Sequence, residues 1–101
     1  MTVQFNTDKT IEWDQRHNDH FSELIKVELD RFSDSITRVE VHLSDENGSK
    51  KGVDDIRCLM EVRAEGRKPL AVSSQSDTIE KSVSGAITKV QASLKTILER
   101  K

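Results

Sequence analysis

The chain has 101 residues, 34% apolar and 34% charged, with four aromatics, which suits one soluble domain spanning 1–101 around one hydrophobic core. Lys and Arg total 16 against 18 Asp and Glu, a net charge of −2, so the chain lacks the basic balance of a strong nonspecific nucleic-acid binder. One cysteine, Cys58, excludes an internal disulfide and a thiolate cluster and suits a reducing, cytoplasmic setting. No apolar h-region and no run of about 18 apolar residues occurs, so neither export by a recognisable signal nor membrane insertion is expected.

"VQFN" (Val3 to Asn6) alternates apolar and polar residues as a short strand does. From Asp14, a fitting N-cap, to Phe32, the residues Phe21, Leu24, Ile25, Leu29 and Phe32 recur at helical spacing. The opposite face carries Asp19, Glu23, Val27 and Asp30, with Lys26 and Arg31 at its sides. "TRVEVHLS" (Thr37 to Ser44) alternates strictly, with Val39, Val41 and Leu43 on one side. Asn47-Gly48 then suits a hairpin turn.

"DIRCLMEVRA" (Asp55 to Ala64) places Ile56, Cys58, Met60, Val62 and Ala64 toward the core. "LAVSS" (Leu70 to Ser74) reads as the last strand, with Pro69 at its start, where a lost donor is tolerated. Behind Ser76 or Asp77 as N-cap, Ile79, Val83, Ile87, Val90, Leu94 and Leu98 form the stripe of a closing helix. The expected fold is α+β: a βαβββα order giving a four-stranded mixed sheet, with two helices packed on one face and the other face open to water. The first two strands, joined through a helix, should be parallel and the rest antiparallel.

No catalytic constellation emerges, and neither a cofactor nor a resident metal is expected. Strand parity puts Cys58 in the core, where a thiol is inert. His17 and His20 lie three apart on a helix but lack a third fixed ligand, so they read as surface histidines. His42 falls on the exposed sheet face with no obvious partner. The glycines are scattered and form no phosphate loop. Gly85, inside a helix, costs about 1 kcal/mol relative to alanine, which points to a close approach. The last helix concentrates Lys81, Lys89, Lys95, Arg100 and Lys101 against Glu80 and Glu99. It is the candidate phosphate-contacting surface.

The element order, together with "LDRFSDSITRVEVHL" and "SDTIEKSVSGAITKVQASLKTILERK", resembles the ribosome hibernation promoting factor and ribosome-associated translation inhibitor family, once named sigma-54 modulation proteins. The family's last helix carries the pattern hydrophobe, Asp, Lys, Leu, x, Arg, Gln, Leu, x, Lys. "ITKVQASLKT" (Ile87 to Thr96) matches at Ile87, Lys89, Val90 and Leu94, with Lys95 displaced by one place. Thr88, Ala92 and Ser93 stand where the family has Asp, Arg and Gln, and the likeness is to a divergent short form.

The resemblance implies a cytoplasmic factor that binds the small ribosomal subunit in the channel used by messenger and transfer RNA, blocking translation and keeping ribosomes idle under stress. It implies ribosomal RNA contacts at Lys89 and Lys95, extended by Lys81, with Arg31 a further one; Arg100, on the same basic helix, is a candidate beside them. No membrane and no small-molecule substrate enter this reading. The net negative charge and Ala92 motivate an alternative: a protein-interaction module on the same fold, using the open sheet face or the acidic first helix.

Overall fold

The computed structural model describes residues 1–46 and 55–98. Its elements run β1 (Thr2–Thr7), α1 (Gln15–Glu28), a 3-10 turn (Asp30–Phe32), β2 (Ile36–Asp45), β3 (Ile56–Ala64), β4 (Leu70–Ser76) and α2 (Ile79–Leu98). The strands form one sheet in the order β1-β2-β3-β4. β1 and β2 are parallel, and β3 is antiparallel to both β2 and β4. This is the expected βαβββα fold, because a crossover through α1 returns the chain parallel while short reversals return it antiparallel. The hairpin turn expected at Asn47-Gly48 lies outside the described residues.

Alternation in β2 and β3 sorts the sheet into two faces. Val39, Val41 and Leu43 on β2 and Cys58, Met60 and Val62 on β3 are buried, and α1 adds Phe21 and Ile25 with Leu29 just beyond it. From α2 come Val83, Ala86, Ile87, Val90 and Leu94. Burial of these side chains, at about 25 cal/mol per Å² of apolar surface, is the main force holding both helices to the sheet. A residue unmarked by any periodic run, Ile11, joins this core from the loop after β1. Beside it Trp13 bridges Phe5 and Phe21, with ring centroids 5.1 and 5.5 Å away.

Local chemistry sets the ends of the elements. Asp14 caps α1 as expected: its side chain accepts from the His17 amide, and the His17 ring reaches back to the Asp14 amide. That is a reciprocal box with histidine in the place of glutamate. The helix stops at Glu28 rather than running on to Phe32. The Leu29 amide still bonds the Ile25 carbonyl four residues back, but the Phe32 amide bonds the Leu29 carbonyl three residues back, and this tighter Asp30–Phe32 turn carries Phe32 into the core.

At α2 the cap is Thr78, not Ser76 or Asp77, with Thr78 Oγ1 accepting from the Lys81 amide at 3.1 Å. Asp77 instead faces Lys81 Nζ at 3.4 Å. Gly66, at φ +71°, allows the reversal between β3 and β4. Asp8 ties the end of β1 to the end of β2. Its carboxylate accepts from Thr10 Oγ1 at 2.6 Å, the Thr10 amide at 2.9 Å and the Asp45 amide at 2.9 Å.

Candidate nucleic-acid interface

The exposed backs of α1 and α2 run side by side, joined where Gln91 Nε2 donates to the Glu28 carbonyl at 2.8 Å. That carbonyl lies in the last turn of α1, where the helix supplies no internal partner. Just past this link the helices frame an open cleft of about 270 Å³ lined by Glu28, Arg31, Phe32, Gln91, Ala92 and Lys95. The Arg31 guanidinium sits 5.3 Å from the centroid of the Phe32 ring, a cation–π contact that orients it. Arg31 and Lys95, far apart in sequence, therefore line the same concavity, together with Glu28.

The lysines of α2 point along different lines. Lys89 and Lys95 are six residues apart, which at 3.6 residues per turn separates their directions by about 120°. Lys89 leans over the sheet edge, donating from Nζ to the Ser73 carbonyl at 2.6 Å. Lys81 sits in the first turn beside Asp77, about 21 Å of helix rise from Lys95. Its pair with Asp77 is solvent-exposed and weak, so a phosphate competes readily for that ammonium. Arg100 lies outside the described residues.

On α1 the outward face is acidic, with Asp19 and Glu23 exposed, and Asp30 is exposed in the turn just beyond the helix. Among them Val27 is 61% exposed, an apolar side chain without cover. The helical surface thus alternates cationic and anionic ground rather than carrying an unbroken positive stripe. Ala92, in the cleft beside Lys95, leaves open the space that a longer side chain would fill.

The remaining candidate groups have local partners. Burial pushes the Cys58 thiol up to about 12, so the thiolate is not populated at neutral pH. The rings of His17 and Trp13 stack at 5.3 Å. His20 turns instead to Glu80, at 3.7 Å, and the two imidazoles thus serve separate contacts.

His42, expected to be without a partner, lies 3.5 Å from Glu61 on β3. Strand alternation alone could not pair them, since their proximity depends on the β2–β3 register. On the same open face Arg38 contacts Glu40 at 2.9 Å and donates to Gln4, and Arg57 stands 3.9 Å from Glu46. Among the described residues no helix is long and apolar enough to cross a membrane.

Fold and surface together define a small α+β protein that offers a charge-mixed, two-helix surface and an open sheet. The chain belongs to the sigma 54 modulation protein / S30EA ribosomal protein family, whose model matches residues 6–101. Its fold is similar to that of the Protein Y N-terminal domain of Thermus thermophilus, at TM-score 0.73 and 18% identity, covering 96% of this chain and 99% of that one. A ribosomal subunit interface protein from Coxiella burnetii is also similar, at TM-score 0.71 and 16% identity, covering 99% of this chain and 100% of that one. No curated protein sequence matches significantly.

Proposed function

We propose that the protein is a cytoplasmic, non-catalytic ribosome-associated factor that binds the small subunit through its helices and blocks the channel used by messenger and transfer RNA. The observation that carries this reading is the family match along residues 6–101. The cleft that holds Arg31 and Lys95 supports it from the structure. In this mechanism the folded sheet is a rigid plug, and cations on the helices meet ribosomal RNA phosphates. Arg31 and Lys95 form the central contact, while Lys81, Lys89 and Arg100 add peripheral ones. Each phosphate neutralised releases counterions, so association weakens as salt rises.

Co-sedimentation of the purified protein with small subunits and whole ribosomes on sucrose gradients, at low and at physiological salt, tests this function. Binding to the small subunit at physiological salt supports it, and absence of binding even at low salt overturns it. A second reading, an interaction module for a basic protein, has a specific basis in the acidic α1 face around exposed Val27. It predicts no sedimentation with ribosomes and recovery of a basic protein partner that is lost when Asp19 and Glu23 are changed to Lys.

A further inference from the structure

The sheet face turned away from the helices holds a grouping that the helical interface does not use. Glu40 on β2 is directly opposite Glu61 on β3, and His42 follows two residues along the same face of β2. Like charges placed directly across an antiparallel pair destabilise it, and both carboxylates here are partly shielded, with 24% and 34% of their side chains exposed. One donor atom from each of Glu40, His42 and Glu61 lies within 4.8 Å of the other two.

We propose that Glu40, His42 and Glu61 form a binding site for one divalent transition-metal ion of the zinc class, with water completing the coordination. The distances favour shared ligation over a direct contact. His42 Nε2 stands 3.5 Å from Glu61 Oε1, long for a hydrogen bond. Two donors each ~2.0–2.1 Å from a tetrahedral ion are about 3.4 Å apart. Nε2 is also screened from solvent and has no hydrogen-bond partner among the described residues.

Arg38 approaches Glu40 through Nε at 3.0 Å and Nη2 at 2.9 Å, both at Oε1. It orients that carboxylate as outer-shell partners of metal ligands do. An imidazole with two carboxylates suits zinc and its neighbours better than the all-oxygen preference of calcium or magnesium. All three donors stand on the two central strands, whose pairing fixes their spacing.

The test is zinc titration of the untagged protein, followed by calorimetry and by the histidine side-chain nitrogen spectrum. The expected result is one zinc ion per chain, with the His42 Nε2 resonance shifted and those of His17 and His20 unmoved. His42→Ala and Glu61→Gln should each weaken zinc by at least the roughly 10–100-fold that loss of an outer-shell partner costs. Glu23→Gln on α1 should leave the affinity unchanged. No saturable zinc binding, or binding that shifts His17 and His20 instead, overturns the site and leaves His42 as a simple neighbour of Glu61. The spectrum of the unaltered protein decides the matter even if a variant fails to fold. Ribosome co-sedimentation of His42→Ala separates this site from the helical interface, because zinc binding should be lost while association persists.

Discussion

Gly85 of α2 lies so close to Ser74 of β4 that a Cβ on the glycine would overlap the serine Oγ and stand 3.2 Å from the serine Cβ. This contact explains a residue that is otherwise a poor choice inside a helix. Gly85→Ala gains about 1 kcal/mol of helix propensity but inserts a methyl into a closed seam, where overpacking costs roughly 1–3 kcal/mol. The net expectation is a loss of about 1 kcal/mol in urea unfolding. In a Ser74→Ala background the Oγ overlap is gone and the loss should shrink. Equal losses in both backgrounds would place the constraint elsewhere.

That seam also shows where sequence reading succeeds and where it stops. The alternation of Val39, Val41 and Leu43, and the helical stripe from Val83 to Leu94, are periodic signals that lead directly to the sheet and its covered face. The helix-propensity cost of Gly85 marks a close approach, but not its partner, which depends on how α2 settles on β4. His42 and Glu61 meet only through the β2–β3 register. Arg31 and Lys95 share a cleft only because the chain breaks α1 and turns at Asp30–Phe32. A continuous helix would have carried Arg31 along a different line. Ile11 joins the core without any periodicity to announce it.

Cys58 supplies a reporter of opening. With its thiol fully buried and pushed up to about 12 by desolvation, it should resist iodoacetamide in the folded protein at pH 8. Labelling followed by mass spectrometry should track global unfolding in urea rather than proceed at the rate of a free thiol. Rapid labelling in the absence of denaturant would show that β3 opens locally.

Acid should weaken the β1–β2 junction through Asp8. Its carboxyl is held below the ordinary 3.8, first by the Thr10 hydroxyl and then by the Asp45 amide. A depressed folded-state value means the ionised form is the stabilising one. The contribution is complete above the unfolded value near 3.8 and is lost as pH falls through the lower folded value. Asp8→Asn removes that titration. Wild type should therefore be the more stable protein at pH 6, and the gap should close as pH falls below about 4. A gap that stays constant in urea unfolding across that range would assign the effect to shape rather than charge. Solvent exposure of Asp8 keeps the difference small.

Ala92 offers a gain-of-function test of the helical interface. It lines the cleft with Arg31 and Lys95 and occupies the position where the resembled family pattern has arginine. Ala92→Arg adds a fork of donors to a concavity that already holds two cations. If the cleft receives a ribosomal RNA phosphate, the variant should bind small subunits more tightly, and its dependence of log K on log salt should steepen by about 0.9 for one added contact. Arg31→Glu with Lys95→Glu should do the reverse, flattening the slope by about two contacts while the circular dichroism spectrum is unchanged. Lys89→Gln should flatten it less, because that ammonium is held by the Ser73 carbonyl at 2.6 Å and must give up this bond before it can reach a phosphate. If Ala92→Arg and Arg31→Glu/Lys95→Glu both left association unchanged, the cleft would not be the contact, and the acidic α1 face would become the surface on which a partner is sought.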